Sequence, residues 1–326
     1  MGLVTGAGSS RLAGVLVRRA AQAVGVALLV ATLCFLIVRQ LPGDAAFRIA
    51  AGRYGYDLVD QQAADAVSAE LGLDRPAWRQ LADWLLALGQ GDLGTSLVTS
   101  GSVAEEVGYY LLGTLQLGAV ALLLAVVLGG ALGILAARRP DGLVDRTVDG
   151  WVASVRALPP FLLGLLLILL FSVHLGWLPA VGDGEGVSIV LPASTLAIGF
   201  SGLFARVTRD TVVEIQRSEH VRFARTKGLT ARLVLVRHVL RNAGVLLVPY
   251  VGVQAVTLIE GVVVVESLFG WQGLGHALVH AVFWRDVPVL QAAALVLALL
   301  VVGINTVVDL AVLWLDPRPR GRAVTT

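Results

Sequence analysis

Two histidines, His276 and His280, stand four residues apart, a spacing that puts both imidazoles on one face of a helix. Such a pair can chelate a metal, but no cysteine accompanies it. A packed or solvated pair is the plainer reading, metal capture is the alternative, and no residue is assigned to a metal. The other histidines, at 174, 220 and 238, are scattered. Nucleotide chemistry is excluded more sharply. Lys227, the chain's single lysine, lies in RTKGLT, which lacks the glycines of a GxxxxGK[ST] loop, and HExxH and GxSxG are also absent. The chain has no P-loop for ATP, and no catalytic residue is assigned. One cysteine, Cys34, makes neither an intramolecular disulfide nor a zinc site.

Glu260 falls inside the apolar stretch 243–269, where an ionised carboxylate without a partner is costly. On a helical wheel Tyr250, Gln254, Thr257 and Gly261 cluster, and Glu260 lies at the edge of that polar stripe. A polar face on a membrane helix lines a water-filled path or contacts another helix, unless it sits near the membrane interface. As a path, this one would favour cationic or amine-bearing cargo. Asn305 and Asp309, in the last apolar stretch, read as structural.

A second candidate carries charge rather than chemistry. EHVRFARTKGLTARLVLVRHVLRN, residues 219–242, holds six basic residues between two apolar stretches. Gly228 divides it, and Thr230 is a fitting N-cap for a new helix. Leu229, Leu233, Val236 and Leu240 then recur at i, i+4, i+7 and i+11, an amphipathic stripe. Before the glycine, Val221 and Ala224 share a face while Arg222, Arg225 and Lys227 point elsewhere. The pattern predicts a helix–turn–helix on the membrane surface, joined rigidly to the flanking spans. A solvated basic loop would account for the charge alone. A docking element for a partner also accounts for the helical order and the glycine break.

Composition identifies the elements that must hold these residues. Of 326 residues, 56% are hydrophobic and 15% charged, against about 25% charged in soluble domains. The apolar residues come in six blocks long enough to cross about 30 Å of hydrocarbon, at 20–38, 114–137, 160–178, 188–207, 243–269 and 287–315. The first reads as an uncleaved span preceded by residues 1–19. Arg11, Arg18 and Arg19 precede that span, and Arg138, Arg139, Arg146 and Arg156 follow the second. Nine bases against three acids lie between Arg206 and Arg241, and Arg318, Arg320 and Arg322 sit in the tail, 316–326. The loop with Asp183 and Glu185 has no base. This asymmetry predicts cytoplasmic termini and an extracytoplasmic insert at 39–113. Within the insert, PAWRQLADWLLALG puts Trp78, Leu81, Leu85 and Leu88 on one face of a helix lying on the membrane or on the protein. Gly129 and Gly133 make a small-xxx-small pair suited to close helix approach. The formal net charge of +2 gives no reason to expect a nucleic-acid partner.

RxARTKGLTxxxVxxRHVLRN, from Arg222 to Asn242, resembles the EAA loop of ABC importer permeases, in the form found in the dipeptide/oligopeptide/nickel group. Ala224 and Gly228 match the EAA---G pattern, with Arg222 and Phe223 in place of its leading Glu-Ala. LPGD (41–44), LGLDRP (71–76), GDLGTS (91–96), VVVVESLFGWQGLG (262–275), RDVPVLQ (285–291) and the closing VDLAVLWLDPRPR stand in the family's order around it, over nearly the whole chain. The resemblance implies an all-α polytopic membrane protein of the type I ABC importer permease fold, with six transmembrane helices and an insert between helices 1 and 2. The permease core is then 114–315, with a coupling loop at 208–242. It further implies a second homologous permease, two cytoplasmic ATPase subunits or a fused one using ATP and Mg, and an extracytoplasmic binding protein. Coupling would fall to Glu219, Arg222, Ala224, Arg225, Lys227 and Gly228, and cargo would be peptides, with nickel, glutathione or another small solute as alternatives. Glu260, His276 and His280 depart from the family's usual residues. An ion-driven secondary transporter would instead show several intramembrane ionisable groups and an inverted repeat, and neither is evident.

Overall fold

The computed structural model describes residues 5–71, 75–182 and 186–315. Asp183, Glu185, part of LGLDRP and the tail arginines lie outside the described residues. A long helix α1, Thr5–Gln40, leads to an insert of three helices, α2 (Ala45–Tyr54), α3 (Gln61–Leu71) and α4 (Ala77–Gly89). Then come α5 (Val103–Ala137), α6 (Leu143–Ala157) and α7 (Pro160–Leu167), which continues as a π-wound segment to His174. After α8 (Val190–Gln216) follow the short α9 (Glu219–Thr226) and α10 (Ala231–Val234). The latter passes through a π segment, Leu235–Leu240, into α11 (Arg241–Phe269). The fold closes with α12 (Leu274–Trp284) and α13 (Val287–Leu315).

Among the described residues, five helices are long and apolar enough to cross a membrane, including Val103–Ala137, Gly186–Gln216 and the 39-residue Ala231–Phe269. The span expected at 160–178 ends at His174 and qualifies only together with α6, from which it is bent by 102°. Pro159 and Pro160 cause the bend. Neither has an N–H to give, and each forces the residue before it out of the helical region. Leu158 accordingly has φ −94° and ψ 121°. Other spans outrun their apolar blocks: α5 begins at Val103 rather than 114, and α8 runs to Gln216 rather than 207. Hydropathy reports where lipid ends, whereas helical hydrogen bonds continue through Glu105, Glu106, Arg209 and Asp210.

The bundle is organised by α5, α8 and α11, with α1 packed along α13 at one side. The glycine pair sets the α5–α8 approach. A Cβ at Gly129 would lie 2.5 Å from the Ser201 carbonyl oxygen, and one at Gly133 2.5 Å from that of Ala205. Leu117, Ala121, Leu196, Leu258, Val262 and Trp271 fill the core toward the insert end. At the far end of α13, Asp309 accepts hydrogen bonds from Nε and Nη2 of Arg19 (3.0 and 2.6 Å). Asn305 donates to the Val301 carbonyl at 2.9 Å.

The amphipathic helix of the insert forms, with one correction. Leu81, Leu85 and Leu88 are half-buried, but Trp78 is 66% exposed with Arg79 stacked over its ring. Trp84 takes the inward place and lines a cavity of about 380 Å³ between the insert, α1 and the start of α13.

Candidate functional site

The helix–turn–helix forms as the spacing predicts. Val221 and Ala224 on α9 are 0% and 3% exposed, packed with Val212, Val234, Val239 and Ala243. Glu219, Arg222, Arg225 and Lys227 face outward, and Glu219 and Arg222 form a loose pair at 3.7 Å. Gly228 has φ +77°, a left-handed conformation that reverses the chain, and the Thr230 hydroxyl accepts the Leu233 N–H at 3.4 Å.

The amphipathic stripe after the turn requires correction. Leu229 and Leu240 are half-buried, but Leu233 and Val236 are exposed, and Val234 and Val239 fill the inner face instead. The π winding of residues 235–240 is the cause. Its i→i+5 bonds widen the turn, so the buried residues fall five apart rather than three or four.

Two features of α9 were missed from sequence. Phe223 stands 61% exposed beside the basic residues, with the Lys227 ammonium 4.5 Å from its ring centroid. Its place opposite the Val221/Ala224 face was the available signal. His220 Nε2 lies 3.2 Å from Asn242 Nδ2, which also donates to the His238 carbonyl at 2.7 Å. α9 is thereby tied by a polar contact as well as by packing to the rod that runs from Ala231 to Phe269.

The base of α8 is held by α6. Arg209 donates from Nε and Nη2 to the two oxygens of Asp145 at 3.0 and 2.5 Å, a bidentate fork, and Asp145 is 2% exposed. Arg206 bridges Asp149 and Asp210 at 3.2 Å each. The outer face of α9 therefore projects from a braced platform formed by α6, α8 and the rod.

The polar stripe of α11 is divided. Gln254 is 6% exposed, and its amide nitrogen has no hydrogen-bond partner among the described residues. Tyr250 is half-buried, its ring edge-on to Phe204 at 5.6 Å. Thr257 and Glu260 lie on the exposed surface, where the Thr257 hydroxyl donates to the Val253 carbonyl. The helix thus turns Gln254 toward its neighbours and presents Glu260 outward from the chain. His276 and His280 lie with ring centroids 4.4 Å apart and their planes tilted by 46°, and no group of three or more metal-ligating side chains occurs among the described residues. Burial, and then the adjacent His280 ring, push the His276 imidazole below its usual range.

At the insert end, blocks far apart in sequence meet. Asp44 of LPGD caps α2 through the Ala46 N–H at 2.8 Å, and Arg285 donates to the Pro42 carbonyl. Asp286, 4% exposed, accepts from the Ser96 hydroxyl, from the Leu97 and Val98 N–H groups (3.2 and 3.3 Å), and from Val289 at the start of α13. LPGD, GDLGTS and RDVPVLQ therefore form one clamp that fixes the insert to the bundle.

A helical bundle of membrane-spanning length that holds out a short basic helix at one end is the architecture of a polytopic membrane protein. Comparison with known proteins places it further. Residues 129–321 match the family described as binding-protein-dependent transport system inner membrane component. The glutathione transport system permease protein GsiC of Pectobacterium atrosepticum is 39% identical over 293 residues, covering 90% of this chain and 94% of that protein. GsiC of Escherichia coli K12 is 39% identical over 292 residues with the same coverage. Among solved structures, an inward-facing form of the MetNI methionine ABC transporter aligns with TM-score 0.54 and 21% identity, covering 64% of this chain and 96% of that one. An amino acid ABC transporter solved with histidines gives 0.51 at 19% identity, covering 64% and 94%. The chain belongs to the family of binding-protein-dependent inner membrane permeases, in its dipeptide/oligopeptide/nickel group. It is a permease subunit of a bacterial ABC importer and has the type I importer fold.

Proposed function

We propose that this permease imports short peptides, glutathione among them, driven by ATP that partner ATPase subunits docked on α9 hydrolyse with Mg as their cofactor. One observation carries the reading. α9 buries Val221 and Ala224 in a braced platform while exposing Phe223, Arg222, Arg225 and Lys227. An exposed aromatic with a lysine over its ring and arginines on the same short helix suits an acidic groove with an apolar pocket on a partner. In this arrangement Glu219, Arg222, Arg225 and Lys227 contact the ATPase, Ala224 seats the helix, and Gly228 makes the reversal. The distribution of arginines along the sequence supports a cytoplasmic position for α9 and for both termini.

A second homologous permease completes the path, and an extracytoplasmic binding protein delivers cargo at the insert end. Glu260 and Thr257 support this assembly. A carboxylate exposed on a membrane-length helix avoids lipid by facing water or another subunit. With Thr257, on the same exposed side of α11, Glu260 contributes to the path, where a carboxylate attracts the free amine that peptides and glutathione share, while the buried Gln254 and half-buried Tyr250 stand behind it. The names of the relatives in Pectobacterium and Escherichia favour glutathione as the first cargo to test.

Proteoliposomes holding both permeases, with ATPases and binding protein added on opposite sides, test the reading. Uptake of labelled glutathione or a di- or tripeptide should require both ATP and the ATPase subunits. Uptake driven by an ion gradient without them would refute it.

A further inference from the structure

Glu266, in the last turn of α11, is 0% exposed and makes no ion pair among the described residues. Its Oε1 accepts the Thr114 hydroxyl of α5 at 2.7 Å, and its Oε2 accepts the Gly275 N–H of α12 at 2.7 Å. The same Thr114 oxygen accepts the Leu274 N–H at 2.7 Å. Trp271 adds a further tie, its indole N–H donating to the Gly113 carbonyl at 3.0 Å. Glycines make room for the carboxylate, since a Cβ on Gly273 or Gly275 would collide with it. Three helices thus converge on one buried acid.

An apolar residue would pack such a spot more cheaply than a buried carboxylate, so stability alone is a poor explanation for Glu266. Its place in the chain suggests another. Between Phe269 and Leu274 the connection is Gly-Trp-Gln-Gly, a non-helical hinge between α11 and α12 in which Gly270 at φ +62° caps α11 and Trp271 is 1% exposed. The Glu266 contacts bridge that hinge. At the other end of the rod, α9 is held by His220–Asn242 and by Val221 and Ala224. At the other end of α12, Asp286 grips the insert.

We propose that Glu266 is a positioning residue that clasps α12 to the rod and to α5, so that a displacement arriving at α9 reaches α12 and the insert instead of being absorbed at the Gly270–Gly273 hinge. The inference rests on the proposed coupling through α9 and adds the element that delivers the motion at the opposite end.

The test uses the complete reconstituted transporter, with ATP hydrolysis and cargo uptake measured together. Glu266→Ala removes the clasp. Thr114→Val removes the shared hydroxyl but keeps the shape, and Thr114→Ser restores the hydroxyl. Leaving one buried hydrogen-bonding group of this cluster without its partner shifts an equilibrium by about tenfold. Uptake per ATP hydrolysed should fall by about that factor in Glu266→Ala and Thr114→Val, with hydrolysis retained, and Thr114→Ser should match wild type. The proposal is overturned if Thr114→Val and Thr114→Ser both couple normally, or if uptake falls only in proportion to assembled transporter. Gly228→Val, run alongside, separates the two ideas. Loss in Gly228→Val with normal coupling in both Thr114 variants would overturn the clasp and keep the α9 reading. Normal coupling in Gly228→Val with loss in Thr114→Val would remove the α9 turn from the route and leave the Thr114–Glu266 contact acting on a displacement that enters elsewhere.

Discussion

Replacing Gly228 with valine should leave the ATPases turning over while uptake per ATP collapses. Gly228 sits at φ +77° between α9 and α10, and nothing lies within 4 Å of where its Cβ would be. The effect of a side chain there is therefore conformational and not a clash with neighbours. A left-handed backbone costs an L-residue about 1–2 kcal/mol, and a β-branched one more. The turn would relax toward negative φ and rotate α9 against the rod that carries α11. At about 2 kcal/mol, the braced geometry would lose roughly thirtyfold in population. Gly228→Asn is the control, because asparagine tolerates this region far better. Paired hydrolysis and uptake rates should show a large loss for valine and near-normal coupling for asparagine. Equal behaviour of the two variants would mean that the turn's geometry plays no part in coupling.

Asp286→Ala should produce the largest loss of stability of any single substitution at the insert end. The carboxylate satisfies the Ser96 hydroxyl and two backbone N–H groups of the 96–98 turn, and it sits at the start of α13. Alanine would leave the Ser96 hydroxyl and the Leu97 N–H without this acceptor, at about 1–3 kcal/mol each, while the Val98 N–H keeps the Ser96 hydroxyl oxygen at 3.2 Å. Because they move together once the turn detaches, a total of about 3–5 kcal/mol is expected rather than the full sum. Asp286→Asn keeps one acceptor oxygen and should recover part of the loss. Thermal unfolding of the detergent-solubilised protein, with limited proteolysis of residues 41–100, measures both effects. A melting temperature unchanged by alanine would show that the clamp is not what holds the insert.

Much of this organisation is legible in the sequence because lipid and chain reversal write strong local signals. Apolar blocks mark the spans, Gly228 and Thr230 mark the turn, and Val221 with Ala224 mark the buried face of α9. The limits are equally physical. A π winding at 235–240 has no signature in hydrophobic spacing, so Val234 and Val239 displaced Leu233 and Val236 from the inner face. The 102° bend at Pro159–Pro160 turned one expected span into a bent pair. Helix ends past the hydrocarbon carry charges, as at Glu105 and Asp210, and hydropathy cannot follow them. Contacts across long separations were hidden as well. Glu266 reads as one acid in a run of valines, and only the fold brings Thr114 and Gly275 to it. The wheel placed Gln254 and Glu260 on one stripe, whereas packing buries the first and leaves the second exposed.

The central claim is that the outward face of α9 receives the ATPase. A photoreactive phenylalanine analogue at position 223, in the assembled transporter, tests it most directly. Illumination should yield an adduct with the ATPase subunit, whereas the same probe at the exposed Trp78 position of the insert should yield none. An ATP-hydrolysing complex in which position 223 captures no ATPase, or in which position 78 does, would contradict the account.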